Sequence, residues 1–196
     1  AATMVYLLVT GLGTEGNPAM LLYYTAAAQR TRMAPVRNAE QCLAWSLDGQ
    51  TFTKYAGNPL IPRMNDSYNR DPKVVWAEEI GKYLMVLYLA EGVYRMMAST
   101  DLLHWELLTD YRIGKEEECP EIFPLWYGGK KYWVLMGFHD VYVLAHFNEN
   151  GALVYDTEPQ KLTAGQVAKA AQACAGLPDN RVVRVSWQHL YLPGAR

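Results

Sequence analysis

Two acidic residues, Asp71 and Glu118, stand 47 positions apart, each within two residues of a proline that opens an apolar run. The stretches are Arg70-Asp71-Pro72-Lys73-Val74-Val75-Trp76 and Glu118-Cys119-Pro120-Glu121-Ile122-Phe123. Proline has no N–H to give to a ladder, so it is tolerated at the first residue of a strand, and the residue before it is driven toward extended backbone. Both carboxylates would then project from strand entrances. Carboxylates at equivalent entrances of neighbouring units can converge on one small volume, and such a pair is what cleavage of a glycosidic bond requires. Taken singly, the same acids read as structural carboxylates at strand ends, paired with Arg70 or Arg95.

An internal repeat supplies the neighbouring units. Ala44-Trp45-Ser46-Leu47-Asp48-Gly49-Gln50-Thr51-Phe52 overlays Met97-Ala98-Ser99-Thr100-Asp101-Leu102-Leu103-His104-Trp105, with Ser46/Ser99, Asp48/Asp101 and Phe52/Trp105 all 53 residues apart. Lys82-Tyr83-Leu84-Met85-Val86 overlays Lys131-Tyr132-Trp133-Val134-Leu135 at a spacing of 49. A period of about 50 residues, made of four short strands between Gly, Asn, Asp and Pro turns, is the signature of a β-propeller blade. One blade takes strands at 73–76, 83–89, 94–99 and 105–108, the next at 121–126, 132–138, 141–147 and 153–155. Strands at 20–27, 41–46 and 51–55 form the outer part of an earlier blade, and 182–187 begins a later one. Residues 166–175 are rich in alanine but lie between blades, which favours a strand near 170–173. The expectation is an all-β, incomplete propeller of two whole and two partial blades: part of one over 1–60, then 70–110, 118–160 and the start of another over 165–196. The first strand of each blade lines the channel, so Asp71 and Glu118 would share a pocket. The Ser-x-Asp repeats read as turn chemistry, side chain to backbone.

The composition of the 196 residues narrows the function classes. Eighteen basic and 20 acidic side chains are spread along the chain for a formal charge of -2, which leaves no electrostatic footprint for nucleic acid or an anionic membrane. The longest apolar run, 83–90, is far short of the roughly 20 residues of a membrane helix. Fourteen Tyr and 6 Trp favour strands and suit the C–H faces of sugar rings. Cys42, Cys119 and Cys174 follow no metal or disulfide spacing, and His104, His139, His146 and His189 form no ligand set, so neither metal nor cofactor is implied. The chain starts at Ala1 without an initiator Met or a signal-like segment, which reads as a missing N-terminus and leaves the compartment open.

With these motifs in order, the sequence resembles glycoside hydrolase family 32, the invertases, levanases and inulinases that act on β-fructofuranosides. The resemblance runs through Leu22-Tyr23-Tyr24-Thr25-Ala26, Gly57-Asn58-Pro59-Leu60-Ile61, the Arg-Asp-Pro-Lys-Val and Glu-Cys-Pro motifs, Ala170-Ala171-Gln172 and residues 181–187. It implies a five-bladed propeller followed by a β-sandwich, the latter absent here, and retaining catalysis on sucrose, inulin or levan. It also implies that Glu118 is the general acid/base and Asp71 the transition-state stabiliser, with Arg70, Cys119, Trp76 and Gln172 contacting substrate.

The family's nucleophile is an Asp in an N-terminal Trp-Met-Asn-Asp-Pro motif, and no such motif occurs in these residues. Met64-Asn65-Asp66 imitates part of it, but Ser67 follows where Pro belongs. Lys169 stands where the family often has an aromatic residue. A chain carrying the acid and the stabiliser without the nucleophile is expected to be inactive alone. Two other readings stay open: a propeller glycosidase acting on arabinan or xylan, and a non-catalytic propeller that keeps a sugar pocket for binding.

Overall fold

The computed structural model describes residues 2–7, 10–14, 16–26, 39–64, 68–115, 118–163 and Gly165, with backbone alone for 2–7. The first sheet holds β1 (Ala2–Leu7), β2 (Gly13–Thr14), β3 (Asn17–Ala26), β4 (Glu40–Ser46) and β5 (Thr53–Lys54), in the order β1-β3-β4-β5 with β2 folded onto β3. The second is β6 (Arg70–Ala77), β7 (Lys82–Ala90), β8 (Val93–Ser99) and β9 (Glu106–Arg112), in sequence order. The third is β10 (Glu121–Tyr127), β11 (Lys130–Met136), β12 (Val141–Phe147) and β13 (Leu153–Tyr155), with β14 (Gln160–Lys161) also on β12. All pairings are antiparallel, and β6 lies against both β1 and β10. Meanders whose first strands lie side by side are blades of a β-propeller. The strand Ala2–Leu7, which sequence reading did not place, supplies the first sheet with its inner strand. The strands and helix-like run expected beyond residue 165 lie outside the described residues.

Tight turns fix the meanders. Glu91 (φ 51°) and Gly92 (φ 73°) join β7 to β8, and Gly128 (φ 59°) and Gly129 (φ 78°) join β10 to β11. Two successive positive φ values match a two-residue connection to the right-handed twist of its strands.

The middle sheet is covered on both faces, which explains the unbroken apolar run of β7. Its side chains alternate: Leu84, Val86 and Tyr88 pack with Trp133, Leu135, Val143 and Ala145 of the third sheet. Tyr83, Met85 and Leu87 pack with Leu21, Tyr23 and Leu43 of the first. Burying a side chain of this size contributes about 1.5–3 kcal/mol.

The repeated turns are built alike. Ser46 Oγ accepts N–H bonds from Asp48 (3.3 Å) and Gly49 (2.9 Å), while Asp48 Oδ1 accepts from Gln50 (2.8 Å) and Thr51 (2.7 Å). Ser99 Oγ accepts from Asp101 (3.2 Å) and Leu102 (2.8 Å), and Asp101 Oδ1 from Leu103 (2.9 Å) and His104 (2.8 Å). The equivalents Gly49 (φ 72°) and Leu102 (φ 67°) are both left-handed. Leucine resists that conformation, but Leu102 is fully buried and its carbonyl accepts the Tyr23 hydroxyl at 2.9 Å, tying the first sheet to the second.

Leu84→Ala leaves a hole between the second and third sheets and should lower stability by about 2–5 kcal/mol, read as a fall in urea midpoint. An unchanged midpoint would show that the two sheets do not pack in solution. Backbone N–H groups of Thr51 and Gln50 hold the Asp48 carboxyl at about 2, below its ordinary 3.8. The folded value is depressed, so this contribution is complete above about pH 4 and disappears as pH falls through about 2. Asp48→Asn should therefore flatten the acid-unfolding curve between about pH 4 and 2, followed by circular dichroism; a curve of unaltered slope would remove Asp48 from the acid response.

Candidate active site

Arg70 and Asp71 stand at the start of β6, and Glu118 and Cys119 immediately precede Pro120 and β10. The two inner strands are neighbours, and this brings the motifs together. Arg70 Nη2 lies 2.5 Å from Glu118 Oε1 and Arg70 Nε 3.6 Å from Asp71 Oδ2, so one guanidinium joins carboxylates from two blades. The Arg70 side chain is 19% exposed, Asp71 15% and Glu118 51%, which leaves Glu118 the more open to an incoming molecule. One layer below, Lys73 Nζ meets Glu121 Oε2 at 2.9 Å and ties the same strands again.

The backbone departs from the extended form expected before proline. Asp71 (φ 59°) precedes Pro72 and Cys119 (φ 44°) precedes Pro120, and both are left-handed, as are Asn69 (φ 41°) and Glu118 (φ 65°). The register of β6 against β7 also shifts between Arg70 and Lys73, so the strand begins before Pro72 with a bulge around it. Contacts from other elements override the local preference. The Asp71 N–H donates to Thr25 Oγ1 of β3 at 3.2 Å, and Thr25 Oγ1 lies 3.4 Å from Gln41 Oε1 of β4. Gln41 Nε2 donates to the Asn69 carbonyl, while Asn69 Nδ2 donates to the Ala39 carbonyl at 3.0 Å. Residues in such conformations cluster where a site is held in one geometry by its surroundings.

Aromatic rings hold the guanidinium. Its carbon lies 4.5 Å from the Tyr68 ring centre and 5.4 Å from that of Tyr88, and the two rings stack at 5.7 Å. Sequence reading missed Tyr68, Tyr88, Thr25 and Gln41 as members of the site. Tyr88 lies across from Arg70 in the β6–β7 register, a pairing that no local motif announces.

Cys119 Sγ lies 4.0 Å from Asp71 Oδ2. Burial first, then the charges of Asp71 and Glu118, push its thiol above the ordinary value, so it stays protonated at neutral pH. Trp76 is not brought to this cluster: five residues beyond Asp71 on β6, roughly 16 Å along the strand, it packs on Tyr83 with ring centres 4.7 Å apart. Asp66, Lys169 and Gln172, together with Glu116 and Glu117, lie outside the described residues. Among the described residues no cluster of His, Cys, Asp and Glu could hold a metal ion. His104 belongs to its turn, with Nδ1 2.6 Å from Asp101 Oδ2. Partial burial acts to raise the Asp101 carboxyl, but hydrogen bonds from the His104 ring and from backbone N–H groups outweigh it and hold it well below the carboxylate range.

Residues 7–192 match the Glycosyl hydrolases family 32 N-terminal domain. A levanase from Bacillus subtilis is 37% identical over 106 residues, covering 48% of this chain and 15% of the levanase. An invertase from Debaryomyces hansenii is 42% identical over 85 residues, 41% of this chain and 16% of the invertase. The chain thus spans a small part of the length of these relatives. The solved exo-inulinase from Aspergillus awamori superposes with a TM-score of 0.65 at 25% identity over 83% of this chain and 38% of that one. The three sheets are accordingly part of a five-bladed propeller of the kind these enzymes share.

Arg70→Lys keeps the charge but loses the planar fork and the stacking on Tyr68 and Tyr88. It should cost about 1 kcal/mol, a fall of about 2–4 °C in Tm by calorimetry. A variant melting with the parent would show that only the charge matters.

Proposed function

The chain belongs to glycoside hydrolase family 32, and on that premise we propose that the protein hydrolyses the terminal β-linked fructose of sucrose, inulin or levan by retaining double displacement. The observation that carries the reading is the Arg70 guanidinium, 2.5 Å from Glu118 and 3.6 Å from Asp71, which joins the carboxyl groups at the entrances of two neighbouring inner strands. Support also comes from the relatives, a levanase and an invertase.

In this proposal Glu118 protonates the leaving oxygen, and as a carboxylate it then takes a proton from the water that releases fructose. Its half-exposed side chain can reach a substrate entering from solvent. Asp71, more enclosed, accepts hydrogen bonds from fructosyl hydroxyls, which strengthen as positive charge develops on the ring. Arg70 holds both carboxylates in register through its fork. The attacking carboxylate is that of the family's N-terminal motif, which these residues do not contain.

The full-length protein should release fructose from at least one of sucrose, inulin and levan. Glu118→Gln should lower kcat by about 10²–10⁴-fold, because an amide neither donates nor accepts the proton. Fructose release by a folded Glu118→Gln protein at the parental rate would dismiss Glu118 as the acid. A folded parent inactive on all three would dismiss the fructosidase reading and favour sugar binding without catalysis.

A further inference from the structure

Glu118 and Cys119 are consecutive non-glycine residues with positive φ, 65° and 44°. Left-handed backbone brings Cβ against the neighbouring carbonyl in residues of this kind, so the pair does not adopt the conformation by its own preference. Packing of the Glu118 side chain does not impose it either, since that side chain is 51% exposed. A contact from another blade reaches this backbone: the Tyr94 hydroxyl of β8 donates to the Glu118 carbonyl at 3.3 Å.

Tyr94 is fully buried, and its ring is fixed on two sides. It stacks on Tyr111 at 5.3 Å with 21° between planes and meets Tyr88 edge-on at 5.8 Å. Tyr88 in turn stacks on Tyr68, and these two rings flank the Arg70 guanidinium. One aromatic row, crossing the middle sheet through the cross-strand partners Arg70, Tyr88, Tyr94 and Tyr111, therefore holds Glu118 at both ends. Arg70 holds its carboxylate and Tyr94 its carbonyl.

We propose that Tyr94 is a positioning residue for Glu118: its hydroxyl keeps the left-handed backbone in place and so sets where the carboxyl group meets the leaving oxygen. This rests on the reading of Glu118 as the acid. A displacement of about 1 Å at such a group costs up to about a hundredfold in rate. Loss of one neutral hydrogen bond to a carbonyl that can still find water should cost less, about tenfold.

The test is Tyr94→Phe in the full-length protein, which retains the ring and its stacking. On whichever of sucrose, inulin and levan the parent cleaves, kcat/KM should fall about tenfold. On 4-nitrophenyl β-fructofuranoside, whose weakly basic nitrophenolate departs without a proton, kcat/KM should stay within about twofold of the parent. Equal losses on both substrates, or no loss on the natural fructoside, would overturn the proposal, because a general structural defect does not distinguish leaving groups. A readout independent of activity accompanies the kinetics. In crystal structures of parent and variant, Glu118 should leave the left-handed region and its contact with Arg70 should open in the variant alone; an unmoved Glu118 overturns the proposal whether or not the enzyme acts on fructosides. A parent protein inactive on every fructoside instead removes the functional reading, and the crystal structures still decide whether Tyr94 holds Glu118.

Discussion

Burial of the middle sheet on both faces is the constraint from which the rest follows. A strand with alternating side chains can satisfy only one apolar face by itself, and β7 carries apolar residues on both. Leu84, Val86 and Tyr88 are covered by the third sheet, and Tyr83, Met85 and Leu87 by the first. Once both contacts are made, β1, β6 and β10 are forced side by side, and the beginnings of β6 and β10 come within reach of one arginine.

Polar ties between sheets follow the same geometry and fix it further. Tyr23 reaches the Leu102 carbonyl across the first interface. Across the second, Glu79 in the 3-10 turn Glu78–Ile80 receives Lys131 Nζ at 2.7 Å and the Trp133 indole N–H, and Tyr155 donates to the Arg112 carbonyl at 2.8 Å. Partial burial acts to raise the Glu79 carboxyl, but the donors from Lys131 and Trp133 prevail and hold it below its ordinary value. Such ties have fixed directions, whereas apolar contact between two sheets tolerates sliding. They set the lateral position of each blade, on which the meeting of Arg70 and Glu118 depends.

The site is where local and global preferences disagree. Asn69, Asp71, Glu118 and Cys119 all adopt left-handed backbone, which Glu and Cys disfavour by type, and Asp71 and Cys119 do so before a proline that favours extended backbone. Each is reached by groups from other strands or flanks a residue that is: Thr25 and Gln41 on one side, Tyr94 and Arg70 on the other. By contrast, Asp48 and Asp101 are satisfied by their own turns, where local chemistry and global fold agree.

Much of this was legible in the sequence. The alternation of apolar residues placed most strands to within a few positions, the 53-residue repeat of Ser and Asp gave the blade period, and the 47-residue spacing put Asp71 and Glu118 at equivalent entrances. These features are local or periodic, so side-chain type alone encodes them. The strand Ala2–Leu7, the guanidinium lodged between Tyr68 and Tyr88, and the left-handed backbone of the acidic pair were not legible. Trp76 shows the same limit: its type suits a sugar ring, but its place along β6 carries it away from the carboxylates. The row Arg70, Tyr88, Tyr94 and Tyr111 exists because the registers slip between Arg70 and Lys73, Tyr88 and Ala90, and Met96 and Met97. A slip of one residue reverses which face a side chain occupies. The residue types were therefore set by the sequence, while the tertiary structure alone decided which of them meet, because cross-strand register and the packing of one blade on the next are properties of chain segments far apart.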